Sequence, residues 1–314
     1  MPTVLDYVLI TPARNEVEFI ELSIKSVAAQ KVRPIKWVIV SDGSTDGTDE
    51  IVSRYMAAHS WIEFLRMPER RERHFAGKVH AFNAGLARVK SLAYSAIACM
   101  DGDISFGPEY FSFLLERLAE DPRLGLVGTP FREGSNDPYD FRFSSIEHVS
   151  GQCQLFRREC FEEIGGYIPV KGGGIDLIAV TMARMKGWKT RTFTEQMFVH
   201  HREMGTALNG VLGARFKQGV KDYGCGGHPL WQVLRVGYQM TRRPLIVGGM
   251  ALGTGYFLAA IRRQERPIPR EMVVFRRHEQ MLRLKNLVSR LVRSRGILRL
   301  KGVSSIASHP TPLS

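Results

Sequence analysis

The stretch AIACMDGD, residues 96–103, decides how this chain is to be read. Residues 96–100 are apolar and short enough for a buried strand, and they run without a break into Asp101, Gly102 and Asp103. Two carboxylates one residue apart, in a turn after such a strand, can share a divalent cation. Mg2+ or Mn2+ prefers hard oxygens of this kind together with substrate phosphates. Alone, D-x-D is common as a solvated turn, so its meaning depends on what stands at the ends of the other strands.

Toward the N-terminus two similar units appear. Residues 4–11 are a β-branched run that breaks at Pro12, and residues 16–30 carry Phe19, Ile20, Ile24 and Val27 at helical spacing. Residues 37–40 predict a second short strand, the loop SDGSTDGT follows at 41–48, and residues 50–58 read as helix. Asp42 in that loop can accept a hydrogen bond from a base imide or a ribose hydroxyl, while Ser44 or Asp46 can cap the next helix. A strand at 62–66 and a helix at 78–87 lead into the opening stretch. Strands alternating with helices predict a parallel α/β sheet wound by right-handed crossovers. Open parallel sheets bind ligands at the carboxyl ends of their strands, where Thr11, Asp42 and Asp101 all fall.

TPARNE at 11–16, SDGSTDGT at 41–48, GK at 77–78 with NAGL at 83–86, and DGD at 101–103 resemble, in order and spacing, the nucleotide-binding half of family 2 glycosyltransferases. FRRECFEEIGGY at 156–167 and GIDLIAVTMARMKGWKT at 174–190 extend the resemblance over roughly the first 205 residues. It implies an inverting enzyme of the GT-A fold, with a Rossmann-like, mostly parallel central sheet and flanking helices. It further implies that Thr11 and Asp42 contact the nucleoside, that Lys78 lies near the nucleotide, and that Asp101 lies near the ribose or metal. Asp103 is then the main ligand of Mg2+ or Mn2+ on the diphosphate of a nucleotide-sugar donor, and Asp176 the catalytic carboxylate. Ile175 replaces the Glu of the family's Glu-Asp pair. A further metal or phosphate contact is expected from His200 or His201, with His201 preferred.

These residue types suit a single displacement, in which Asp176 deprotonates the acceptor hydroxyl and the nucleoside diphosphate leaves. Glycines 172–174 can let the backbone approach the acceptor or serve as a hinge. Gln232 to Arg235 matches part of a processive-polymerase signature but lacks its Trp, and reads as helix packing; transfer is expected to be non-processive. A haloacid-dehalogenase-type phosphatase, with Asp101 as nucleophile, leaves the two upstream strand–loop units unexplained. A nucleotidyltransferase would want a glycine- and arginine-rich loop where TPARNE stands.

Composition completes the picture. The 314 residues carry 44 Lys and Arg against 31 Asp and Glu, a net charge of +13. Residues 262–314 hold 13 basic and 3 acidic side chains, so +10 of that charge lies in the tail and the body is nearly neutral. A nucleic-acid binder would spread its charge over a folded face with aromatics interleaved, so no nucleic-acid partner is expected. Cys99, Cys153, Cys160 and Cys225 form no C-x-x-C pair, as expected of reduced thiols. The run at 4–10, interrupted by Asp6, is too short for a signal peptide.

Residues 244–261 carry no charge and are bracketed by Arg242-Arg243 and Arg262-Arg263, with G-x-x-x-G at Gly249 and Gly253. They read as a short membrane span, a re-entrant segment or a buried helix. Downstream, Val273, Met281, Leu284, Leu287, Val288 and Leu291 form an apolar stripe beside Arg276, Arg277, Arg283, Lys285 and Arg290. Such a helix lies on an anionic membrane or packs back on the body. The expected organisation is a glycosyltransferase domain at 1–205 (nucleotide-sugar half 1–130, acceptor half 131–205), a helical extension at 206–261 and a basic amphipathic tail at 262–314. The expected setting is the cytoplasmic face of the cell membrane, peripheral or single-span, with a lipid-linked or glycan acceptor.

Overall fold

The computed structural model describes residues 5–70, 74–133, 145–202 and 210–304, with side chains as far as residue 289. Arg290 and Leu291 of the basic stripe therefore lie outside the described side chains. The first half alternates strictly: β1 (Tyr7–Ala13), α1 (Ile20–Ala28), β2 (Lys36–Ser41), α2 (Thr48–Ala58), β3 (Ile62–Arg66), α3 (Ala76–Val89) and β4 (Ala96–Met100). Then come β5 (Ile104–Ser105), α4 (Tyr110–Glu120), β6 (Leu124–Gly128), β7 (Phe131–Glu133), β8 (Cys153–Arg157), α5 (Arg158–Glu163), α6 (Ile175–Met185), β9 (Lys189–Thr192) and β10 (Phe198–His200). Four helices follow: α7 (Val211–Gly224), α8 (Pro229–Met240), α9 (Val247–Ile261) and α10 (Arg270–Ser304).

A seven-stranded sheet runs β3-β2-β1-β4-β8-β6-β9, all neighbours parallel except for β8, which is antiparallel to β4 and β6. Because side chains alternate across a strand, β1 sends Tyr7 and Leu9 to one face and Val8 and Ile10 to the other. Helices α1 and α4 cover the first face through Ile24, Val27, Phe111 and Leu114; α3 and α6 cover the second through Val79, Phe82, Ala179 and Val180. Both faces are buried, as a mostly parallel sheet requires. This α/β arrangement fits the GT-A fold.

Two boundaries differ from the expectation for local reasons. Strand β1 continues through Pro12 because β4 pairs only as far as Ile10, so the missing proline N–H falls where β1 has a neighbour on one side alone. Helix α1 starts at Ile20 and not at residue 16, because loop side chains capture the preceding backbone. Glu16 N–H donates to Thr48 Oγ1 at 2.8 Å and Val17 N–H to Asp46 Oδ2 at 3.1 Å.

Of the three readings of the apolar segment 244–261, the structure shows the packed helix. Helix α9 has 15 residues, about 22 Å at 1.5 Å per residue, against about 30 Å of hydrocarbon. Among the described residues no helix is long and apolar enough to cross a membrane. Its glycines serve close helix contact instead. A Cβ on Gly255 would lie 2.1 Å from the Phe216 carbonyl oxygen of α7, and one on Gly219 of α7 would lie 2.1 Å from that of Leu252. The start of α10 packs on the body: Met272 and Val273 join Ile178 and Cys225 in a small core, and Arg184 pairs with Glu279 at 2.7 Å.

Candidate active site

Three loops at the carboxyl ends of β1, β2 and β4 border a cavity of about 1050 Å³. Asp42, Lys78, Asp101 and Asp103 line it, together with residues 169–173 on the opposite wall. Thr11 does not: its side chain is fully buried, and its Oγ1 accepts the indole N–H of Trp37 at 3.0 Å. Thr11 lies on the face of β1 that carries Leu9 into the core, and the cavity is bordered instead by the last two residues of the strand, Pro12 and Ala13.

Asp42 is 4% exposed, and its carboxylate is bound by the Arg70 guanidinium, with Nε at 2.8 Å from Oδ1. Arg14 Nη1 stands 3.8 Å from the other oxygen. Arg70 was not anticipated; its signal lay in the cation-rich stretch ERRERH at 69–74, beside the expected helix.

Lys78 forms an ion pair with Asp101 and donates to the Gly151 carbonyl at 2.8 Å. Burial works against the Lys78 ammonium, but the charge of Asp101 raises it above its ordinary value. Burial raises Asp101 more than Lys78 lowers it, and the negative charge of Asp103 adds to the rise. Asp103 moves the other way: burial opposes its charge, yet the His200 hydrogen bond and the charges of His200 and Arg202 hold it below the usual carboxylate range.

A small second sheet, β5-β10-β7, sets these partners in register by pairing His200 with Ile104 on one side and Glu133 on the other. His200 Nε2 is 3.4 Å from Asp103 Oδ2 and Nδ1 is 2.6 Å from Glu133 Oε1. Although burial disfavours the charged ring, these two carboxylates push His200 up to about 9. His201, preferred from the sequence, is turned away by the strand alternation. Its ring nitrogen meets Ser105 Oγ at 2.8 Å and its ring stacks on Phe19. Arg202 links Asp103, at 3.4 Å, to Glu16, at 2.6 Å.

Asp103 Oδ1 is buried without a hydrogen-bond partner. Among the described residues no group of three or more His, Cys, Asp or Glu is arranged to hold a metal. A hard, unpaired carboxylate oxygen beside Asp101 fits a cation whose remaining ligands come from a diphosphate, and does not fit an all-protein metal cage.

Asp176 stands in the first turn of α6, whose N-cap is Gly174 with φ +88°. A Cβ at Gly174 would strike Cys225 Sγ at 2.7 Å, so both backbone and space call for glycine. Asp176 lines a second cavity of about 330 Å³ together with His148, whose Nε2 is 3.7 Å from Oδ2. Burial holds His148 below its ordinary value. Gly151 touches a residue of each cavity: a Cβ there would lie 2.9 Å from Asp176 Cβ, and its carbonyl accepts from Lys78. Lys221 lines both cavities.

Two further residues belong to the second cavity. Arg235, read with Gln232 as helix packing, joins α8 to α7 through its pair with Asp222 at 2.6 Å and also lies in the lining. Arg276, expected on the basic surface of the tail, is buried in that lining.

Comparison with known proteins agrees with the geometry. The poly-beta-1,6-N-acetyl-D-glucosamine synthase of Staphylococcus aureus strain COL is 32% identical over 136 residues, 43% of this chain and 31% of that one. That of Staphylococcus epidermidis is 23% identical over 234 residues, 68% of this chain and 52% of that one. The aligned regions thus span about a third to a half of these curated relatives. The fold is shared with a mannosyltransferase from Pyrobaculum calidifontis solved with GDP-Man and Mn2+: TM-score 0.56, 22% identity, covering 84% of this chain and 77% of that one. Residues 8–170, more than half of the chain, match the family described as Glycosyl transferase family 2. The chain belongs to that family and is a glycosyltransferase.

Proposed function

We propose that the chain transfers a sugar from a nucleoside-diphosphate sugar to an acceptor hydroxyl with inversion, one sugar at a time and with a divalent metal. The carrying observation is the junction at Gly151, where the Lys78–Asp101 pair of the large cavity meets Asp176 of the small one. The donor diphosphate lies in the large cavity and the acceptor enters the small one.

Asp176 takes the acceptor proton as the acceptor oxygen bonds to the anomeric carbon. The bond from that carbon to the diphosphate oxygen breaks, and its electron pair leaves with the nucleoside diphosphate. No covalent nucleophile is needed. Lys78, Lys217 and Lys221 line the large cavity and face the charge that develops on the leaving group. Asp103, through its unpaired Oδ1, and Asp101 would hold Mg2+ or Mn2+, which when bound supplies charge neutralisation at the diphosphate. His200, in place of His201, holds Asp103 in position. Asp42, with Arg14 and Arg70, borders the end of the cavity suited to the nucleoside.

This reading also sets the enzyme peripherally on the cytoplasmic face of an anionic membrane, near a lipid-linked or glycan acceptor. Helix α9 turns Val247, Met250, Phe257 and Ile261, one face at helical spacing, to the outside; Ile261 is 78% exposed. Exposed Arg242, Arg243, Arg262 and Arg263 flank that face at both ends, matching an anionic interface.

The test is a thermal-shift and turnover panel of UDP-, GDP- and dTDP-sugars with Mn2+. One donor is expected to stabilise the protein and to be turned over, with activity lost in excess EDTA. Full activity in EDTA removes the metal assignment, and no response to any donor removes the transferase reading.

A further inference from the structure

The small cavity has a charge balance that proton abstraction alone does not explain. Its lining includes two carboxylates besides Asp176, and each already has a guanidinium: Asp222 has Arg235 at 2.6 Å and Glu279 has Arg184 at 2.7 Å. Arg283 is matched by Glu147 at 2.9 Å. Two cations remain. Arg276 is only 8% exposed, and its one hydrogen bond among the described residues goes to the backbone carbonyl of Cys225. Lys221 has no side-chain partner among the described residues.

A buried guanidinium held by one neutral carbonyl is costly, and the nearby charge of Asp222 offsets only part of the desolvation. Arg276 accordingly sits below its ordinary value through burial, and it acts together with Lys221 and Arg184 to hold His148 down as well. The planar guanidinium suits an oxyanion, to which it can offer two parallel N–H bonds.

We propose that the cavity beside Asp176 recognises an acceptor that carries a phosphate group, held by Arg276 and Lys221, so that the hydroxyl glycosylated lies within reach of Asp176. The proposal rests on the reading of Asp176 as the base and names the acceptor class for that site. The phosphate belongs either to a lipid phosphate or to a phosphorylated sugar; both offer the same oxyanion.

The test is calorimetric titration of the full chain with octyl phosphate and with glucose 1-phosphate, each beside its neutral counterpart, octanol or glucose. At least one phosphate probe is expected to bind at least tenfold tighter than its counterpart, with at least tenfold loss in Arg276→Met, a residue outside the large cavity. Tighter binding of octyl phosphate points to the lipid source, and tighter binding of glucose 1-phosphate to the sugar source. Should Arg276→Met fail to fold, Arg276→Gln, which keeps an N–H donor for the Cys225 carbonyl but carries no charge, is expected to show the same loss. Equal binding of charged and neutral probes, or binding unchanged in the folded variants, overturns the proposal. The donor panel on the same preparation separates the two levels. Donor turnover without phosphate recognition refutes the acceptor class alone, whereas failure of donor binding removes the base assignment with it.

Discussion

Replacing Asp176 by Asn removes the proposed base while changing little else. Asn has nearly the same shape, so the packing of the side chain against Gly151 is kept. The carboxylate is about a third exposed, and its ion-pair neighbour His148 is 3.7 Å away and held toward its neutral form. The favourable placement of a negative charge in the first turn of α6 is worth about 0.3–1 kcal/mol, and that is the expected loss of stability. Catalysis should suffer far more. Loss of a general base lowers the rate about 10²–10⁴-fold, or about 3–5 kcal/mol of barrier. Affinity for the nucleoside diphosphate should hold or rise slightly. Asp176 does not line the large cavity, and its negative charge, felt at Lys78, opposes an incoming diphosphate. The assay follows release of nucleoside diphosphate from the donor, with calorimetric binding of the nucleoside diphosphate and thermal unfolding on the same samples. A variant that keeps more than a few per cent of the rate, or whose affinity falls as far as its rate, refutes the reasoning.

Three further outcomes are expected. Met250→Glu combined with Ile261→Glu should move the protein from the pellet to the supernatant when it is sedimented with anionic vesicles, and unchanged pelleting would exclude the α9 face as the contact. Gly255→Ala should cost about 1–3 kcal/mol in urea unfolding, because its Cβ would meet the Phe216 carbonyl. Gly237→Ala, on the exposed side of α8 with nothing within 4 Å, should stabilise by up to about 1 kcal/mol, and equal effects at the two glycines would refute the tight α7–α9 crossing. Burial lowers His148 below 6.5, so the folded chain binds its proton less readily than the unfolded chain. The stability this provides is present above about pH 6.5 and is lost as pH falls below that value through the lowered folded-state one. His148→Gln should flatten that part of the Tm–pH curve, and identical slopes would show that His148 does not titrate on unfolding.

The first hundred residues were legible because each strand there is a short apolar run with a polar loop at its end, and local periodicity alone separates strand from helix. Legibility dropped after Pro130. There β8 inserts antiparallel between β4 and β6, a pairing set by contacts far apart in the chain rather than by local pattern. Thr11 illustrates a similar limit. A motif names the residue at a strand end, but a one-residue alternation decides whether it faces the cavity or the core, and here Trp37 takes its hydroxyl. His200 and His201 differ in the same way.

By itself the sequence determined the α/β class, the order of the strand-end loops, the family and the paired carboxylates of D-x-D, since all of these are carried by local pattern and spacing. Only the tertiary structure decided which histidine meets Asp103 and that Arg70 binds Asp42. It alone decided that the glycine-rich apolar segment packs on α7, and that Arg276 leaves the basic tail for the cavity beside Asp176. Each depends on where side chains from distant segments converge, and burial and the search for a charge partner act on that convergence rather than on the order of residues along the chain.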